Sequence, residues 1–119
     1  MEERKLGAIE AKFADIIWKN APVTTAQLVK IGQQELNWKR TTTYTVLKRL
    51  CEKGLFQNDN GTVTILLSKE EFETEQSCRF VEETFHGSLP AFLAAFSRQS
   101  KLTPQEIEEL QRLIEKSRG

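Results

Sequence analysis

The stretch Trp38–Gly54 constrains the fold of this chain most. It reads as a single amphipathic helix ending at Gly54, with an outer face unlike that of an idle surface. Steps of about 100° per residue gather Thr43, Val46, Leu47 and Leu50 on one apolar stripe. Thr41, Tyr44, Thr45 and Lys48 fall opposite, with Thr42 and Arg49 on the flank. Solvated helix faces favour Glu, Lys, Gln and Ala, because threonine loses rotamer freedom in a helix. Here weak helix formers with hydroxyls alternate with cations, which suits phosphate and base contacts in a DNA groove. An ordinary surface helix that happens to be rich in threonine fits the composition equally well, so the flanking elements must decide.

Two helices precede it. Ile9, Phe13, Ile16 and Ile17 make a core-facing stripe over Ala8–Lys19, which Asn20-Ala21-Pro22 ends. Val23-Thr24 is short enough for a minimal strand. Thr24 and Gln27 then fit a capping box for a second helix running to about Glu35, with Leu28, Val29 and Leu36 toward the core. Gly32 weakens that helix and leaves room for another to approach. Leu36-Asn37-Trp38 forms the turn into the focal helix.

After Gly54 the period changes to that of strands. Leu55–Asn58 and Thr62–Leu67 flank Asp59-Asn60-Gly61, and Asn-Gly supplies the positive φ angles of a tight hairpin. Residues 1–67 therefore read helix, helix, helix, hairpin. In a helix-turn-helix protein, the third helix of that order is the reader and the hairpin a wing.

The remaining residues, 68–119, read as three helices that form a dimerisation region. Ser68 and Glu71 cap the first, which carries Phe72, Gln76, Arg79 and Phe80 on one stripe and stops at His86-Gly87. Ser88–Phe96 is apolar on almost every side, with Leu89, Phe92, Leu93 and Phe96 prominent. Thr103 and Glu106 cap the last helix, with Pro104 at its first position, and Ile107, Leu110, Leu113 and Ile114 form its stripe. Glu108, Glu109, Arg112 and Glu115 face outward as a solvated surface. Three such helices expose more apolar surface than they can cover alone, which points to self-association, with Ser88–Phe96 as a helix buried within one subunit the plain alternative.

Composition narrows the function classes. The 119 residues suit one domain or a compact domain with an appendage, and the net charge is zero. Ten Lys/Arg oppose seven Asp/Glu over residues 1–67, whereas seven oppose ten over 68–119, so only the front half suits a polyanion. Cys51 and Cys78 stand apart and His86 is the single histidine, which provides no metal-ligand cluster and no cofactor site. Neither a Ser/His/Asp or Cys/His arrangement nor a Gly-rich phosphate loop is present, and Glu10 and Asp15 read as solvated carboxylates, so an enzyme is not expected. No apolar run approaches the roughly 20 residues of a membrane span. The charged start Glu2-Glu3-Arg4-Lys5 lacks a signal-like segment behind it, so a cytoplasmic protein without membrane insertion is expected.

Several of these residues together resemble the BlaI/MecI/CopY group of winged-helix repressors, which includes the penicillinase repressors. The pattern comprises Glu10 and Trp18, then Pro22-Val23-Thr24-Thr25-Ala26, then Trp38, Thr42, Thr45, Leu47, Arg49, Leu50, Lys53 and Gly54 at their set spacings. Phe85, Gly87-Ser88-Leu89, Phe96 and Leu102-Thr103 extend it over nearly the whole chain. The resemblance implies a mainly α fold with a small β-hairpin: a winged helix-turn-helix, residues 1–67, followed by C-terminal dimerisation helices, residues 68–119. It implies a homodimeric repressor of transcription that binds a pseudo-palindromic operator in double-stranded DNA through the helix around Arg40–Lys53. Carried over by position, Thr41, Thr42, Tyr44 and Thr45 would enter the major groove, with Lys39, Arg40, Lys48 and Arg49 beside them. Phe72, Phe80, Leu89, Phe92, Leu93, Phe96, Ile107, Leu110, Leu113 and Ile114 would join the subunits.

Penicillinase repressors are released by proteolysis beside a Phe that looks similar to Phe96, so Ala95–Phe96 is the implied cleavage site and a membrane sensor protease the implied partner. Ala95 stands where those repressors have Asn. Thr41 stands where lysine is frequent, and Asp59-Asn60-Gly61 lacks Lys and Arg, so the wing should bind phosphate weakly. The end Glu115–Gly119 carries no cysteine cluster of the copper-responsive kind. Outside the resemblance, the neutral charge also fits a winged-helix module that binds another protein through the threonine face.

Overall fold

The computed structural model describes residues 4–119; Glu2 and Glu3, which entered the charge balance and the reading of the N-terminus, lie outside the described residues. The elements run α1 Ala8–Asn20, β1 Val23–Thr24, α2 Thr25–Leu36, α3 Arg40–Glu52, β2 Phe56–Asp59, β3 Thr62–Ile65, α4 Lys69–Phe85, α5 Leu89–Gln99 and α6 Pro104–Ser117. The fold is thus mainly helical with a small antiparallel sheet, as expected for a winged helix followed by C-terminal helices. The chain divides into two units, Met1–Thr74 and Glu75–Gly119.

In the first unit the apolar stripes meet in one core. Phe13, Ala14, Ile17, Leu28, Val46, Leu47, Leu50, Leu55, Phe56 and Val63 are buried there, together with Val23. Each fully buried aliphatic or aromatic side chain contributes on the order of 1.5–3 kcal/mol relative to exposure, so this cluster dominates the stability of the unit. The stripe predicted for α1 needs one correction: Ile9 is 53% exposed, and Ala14 takes the place assigned to it. Ile9 belongs to the first turn, which precedes the part of the helix that lies on the core.

The focal helix begins two residues later than the sequence suggested. Asn37 adopts a left-handed backbone that ends α2, and Lys39 is extended, so α3 starts at Arg40. Trp38 lies in that link and packs on Phe13 at 5.1 Å between ring centroids. At its other end α3 stops after Glu52, and Gly54 follows with a φ of 82°.

The hairpin forms, with its strands at Phe56–Asp59 and Thr62–Ile65 rather than Leu55–Asn58 and Thr62–Leu67. Asp59 faces Thr62, and Asn60 and Gly61 both take positive φ, 51° and 91°, the pair of angles a two-residue turn demands. Val23-Thr24 joins it: β1 pairs with β3 through Val23–Val63 and Thr24–Thr62, giving a three-stranded sheet in the order β1-β3-β2. The edge strand ties the start of α2 to the hairpin, and Thr25 donates its amide to the Gly61 carbonyl at 2.9 Å. The capping box of Thr24 and Gln27 is formed as read.

Two contacts fix the start of α4 within the first unit. The Trp18 indole donates to the Leu67 carbonyl at 2.9 Å, and Phe72 packs on Trp18 at 5.6 Å. The Ser68–Glu71 capping box precedes that contact.

In the second unit the end of α4, α5 and α6 contribute no fully buried side chain. Phe80, Phe85 and Phe92 meet edge to face at 5.7–6.0 Å, and Phe96 adds to Phe92 at 6.2 Å. Thr103 and Glu106 form the capping box of α6.

Candidate nucleic-acid interface

The geometry of α3 follows from its two faces. Thr43, Val46, Leu47 and Leu50 are buried, which orients the helix and turns the remaining residues outward. Lys39, Arg40, Thr41, Thr42, Tyr44, Thr45, Lys48 and Arg49 are all exposed, so the residues expected to meet DNA lie together on one free surface. Among them stand four cations and no carboxylate.

The start of α3 adds partial positive charge. Lys39 occupies the N-cap position and its side chain makes no capping hydrogen bond. The amides of the first helical turn have no intrahelical acceptor, and their dipoles favour an anion. Phosphate oxygens are a natural complement to such a terminus beside Lys39 and Arg40.

Two of the outer side chains are already engaged. The Thr45 hydroxyl donates to the Thr41 carbonyl one turn earlier, at 2.8 Å. Its hydrogen is spent there, which leaves an acceptor oxygen and a methyl group for any ligand. The Arg40 guanidinium carbon lies 5.6 Å from the centroid of the Tyr44 ring, in cation–π range. Hydrogen bonds from the Thr25 side chain and from Arg40 hold the Tyr44 phenol below the ordinary tyrosine range.

At the far end of α3, Lys53 is engaged with the N-terminal segment. Its ammonium donates to Glu10 Oε1 at 2.9 Å and to the Lys5 carbonyl at 2.6 Å. The Gly7 amide and then Lys53 lower the Glu10 pKa, and Arg49 adds a smaller coulombic contribution. The motif residues Glu10 and Lys53 thus brace the helix from behind.

The wing carries little positive charge. Asp59 and Asn60 are exposed, and the Asn58 side chain accepts the Gly61 amide at 3.0 Å, closing the turn on itself. Cys51, half-buried behind it, has its thiol pKa raised chiefly by that burial. Among the described residues, no group of three or more His, Cys, Asp or Glu is placed to hold a metal. No helix among them is long and apolar enough to cross a membrane.

The residues expected at the subunit interface divide between the two units. Phe72 is engaged with Trp18 in the first. In the second, Leu89, Phe96, Ile107, Leu113 and Ile114 are exposed, and so is Phe80 despite its ring contacts. Phe92, Leu93, Phe96, Leu110 and Leu113 line a groove of about 500 Å³ with Leu102, while Glu106 and Glu109 form its polar rim. Ala95 and Phe96 lie in the middle of α5, with helical backbone on both sides.

Sequence reasoning missed the contribution of Thr25. It stands one residue after the N-cap Thr24, and its bond to Gly61 joins residues far apart in the chain. No local periodicity signals such a contact.

A profile of the family described as "Penicillinase repressor" matches residues 6–116. The chain is 25% identical over 114 residues to the penicillinase repressor of Bacillus licheniformis, covering 92% of this chain and 89% of that protein. It is 23% identical over 116 residues to the methicillin resistance regulatory protein MecI of Staphylococcus aureus, covering 94% of each. The MecI protein of Staphylococcus epidermidis is 22% identical with the same coverage.

Proposed function

The chain belongs to the penicillinase repressor family, whose members are transcriptional repressors rather than enzymes, and we propose that it acts as a homodimer on a pseudo-palindromic operator. Each winged helix takes one half-site, with the face of α3 around Arg40–Lys53 in the major groove. The observation that carries this reading is the free outer surface of α3. It offers threonine hydroxyls, a tyrosine and four cations without a carboxylate, on a helix whose other face is locked into the core. Phosphate contacts from Lys39, Lys48 and Arg49 supply affinity, while Arg40, Thr41, Thr42 and Thr45 lie over the base edges with Tyr44 beside them. The subunits join through the apolar side chains of residues 68–119, and a two-fold dimer mirrors the symmetry of the site. Release by a membrane sensor protease would require α5 to open around Ala95–Phe96 first.

Operator binding measured at rising salt tests the reading. Each neutralised phosphate should contribute about −0.9 to the slope of log affinity against log salt. A salt-independent affinity, or no binding to promoter DNA even at low salt, would sink it.

The cation-free wing favours a second reading, a module that binds another protein through the threonine face. Co-purification of a partner that fails to bind the Arg40→Ala and Arg49→Ala variants, with no DNA bound at any salt, would select it.

A further inference from the structure

Three elements of the first unit converge on one exposed side chain. Tyr44 lies one helical turn after Arg40, and the Arg40 guanidinium carbon stands 5.6 Å from its ring centroid. The Thr25 side chain, on the first residue of α2, lowers the Tyr44 phenol pKa, and Arg40 adds to that effect. Thr25 in turn holds the wing turn: its amide donates to the Gly61 carbonyl at 2.9 Å, and a Cβ built on Gly61 would lie 3.7 Å from the Thr25 hydroxyl oxygen. The wing turn, the start of α2 and the outer face of α3 are therefore linked through Thr25 and Tyr44 to Arg40.

We propose that Tyr44 is a positioning residue, which Thr25 anchors beside the wing turn and which holds the Arg40 guanidinium ready to discriminate one base pair of the operator half-site. The inference rests on the DNA-binding reading above for its consequence, though not for its geometry. A free arginine on a helix surface samples many rotamers and must lose that freedom on binding. An aromatic face beneath the guanidinium and a hydroxyl at its edge restrict it before DNA arrives. A guanidinium so held presents its planar fork to the O6 and N7 acceptors of a guanine. Tyr44 itself, with its ring beside the Arg40 guanidinium, is occupied by that task. The wing then contributes through Thr25 rather than through phosphate contacts of its own, consistent with its lack of cations.

Tyr44 is the single tyrosine of the chain, so phenolate absorbance reports on it alone. In the free full-length protein, Thr25→Ala and Arg40→Ala should each move the phenol titration to higher pH than wild type. Unchanged titration in both variants overturns the proposed linkage. In parallel, DNA with randomised half-sites is selected by wild type, Arg40→Ala, Tyr44→Leu, Tyr44→Phe and the Arg40→Ala/Tyr44→Leu double variant. Arg40→Ala should lose roughly tenfold discrimination at one base pair. Tyr44→Leu should lose preference at that same base pair, Tyr44→Phe should lose less, and the double variant should match Arg40→Ala. Loss at a different base pair, or additive losses in the double variant, overturns the proposal. Intact titration shifts with no sequence preference in wild type mean that the DNA-binding reading has failed and takes the consequence with it. Intact wild-type preference that is unmoved by Tyr44→Leu means that the positioning role alone has failed.

Discussion

Lys53 Nζ lies 2.9 Å from Glu10 Oε1, which joins the residue after α3 to the first turn of α1. Both side chains are largely shielded, at 28% and 15% exposure, and the same carboxylate accepts the Gly7 amide at 3.0 Å. Arg4 Nε closes the arrangement by donating to the Lys53 carbonyl at 2.9 Å. The end of α3 is thereby fixed to the N-terminal segment through charge-assisted hydrogen bonds.

A pH dependence follows, and its sign is set by the lowered pKa of Glu10. A carboxylate that is more acidic folded than unfolded stabilises the fold above its unfolded pKa. That contribution is lost as pH falls through the lower, folded value. Acid unfolding of wild type should therefore steepen below the ordinary carboxylate range, and Glu10→Gln should flatten it while costing about 1 kcal/mol at neutral pH. Urea melts at a series of pH values measure both effects. Equal pH slopes for wild type and variant would remove Glu10 from the account.

The α2–α3 contact yields a second prediction. A Cβ at Gly32 would stand 2.7 Å from Thr43 Oγ1 and 3.8 Å from Trp38 Cβ. Thr43 is buried, and its hydroxyl has no hydrogen-bond partner among the described residues. Glycine to alanine in a helix normally gains up to about 1 kcal/mol. Here overpacking against a stiff β-branched side chain should outweigh that gain, for a net loss of roughly 1–2 kcal/mol. Thr43→Val removes the orphan hydroxyl at nearly constant volume and should stabilise by about 1 kcal/mol. Thermal melts of Gly32→Ala and Thr43→Val check both signs.

Thr45 separates hydroxyl from methyl recognition. Its hydroxyl hydrogen is committed to the Thr41 carbonyl at 2.8 Å, so the methyl group is the better candidate for contact with a thymine methyl. Thr45→Val should keep operator affinity within a few tenths of a kcal/mol, whereas Thr45→Ser should lose about 1 kcal/mol or more. The reverse order in titrations against one operator fragment would assign the contact to the hydroxyl oxygen.

Much of this was legible from residue spacing. Thr43, Val46, Leu47 and Leu50 stood out as the inner face of α3 because the buried stripe of a helix must repeat at its own period. Asn60-Gly61 announced the hairpin through the backbone angles it requires. Other positions are set by contacts that residue spacing does not encode. Trp38 continues the α3 pattern on paper, yet the left-handed Asn37 and extended Lys39 place it before the helix. Thr25 and Gly61 meet through the sheet, because β1 brings the start of α2 to the hairpin. Phe72 likewise looked like one more residue of the apolar C-terminal helices until Trp18 claimed it.

Dimerisation through residues 68–119 can be tested apart from DNA. Leu113 and Ile114 are 59% and 54% exposed on α6, and Leu113 edges the groove that Phe92, Phe96 and Leu110 line. Burial of such side chains against a second copy would contribute on the order of 1.5–3 kcal/mol each. A charge placed there would instead have to be desolvated. Leu113→Glu should therefore weaken self-association at least tenfold while leaving the winged helix folded, because Leu113 lies outside the unit that contains it. Sedimentation velocity over a concentration series reads the dissociation constant. The same variant should lose affinity for a two-half-site operator far more than for a single half-site, since only the former draws on two linked domains. Unchanged sedimentation would move the subunit contact away from α6, and equal losses on both DNA fragments would show that the variant damages the DNA-binding unit itself.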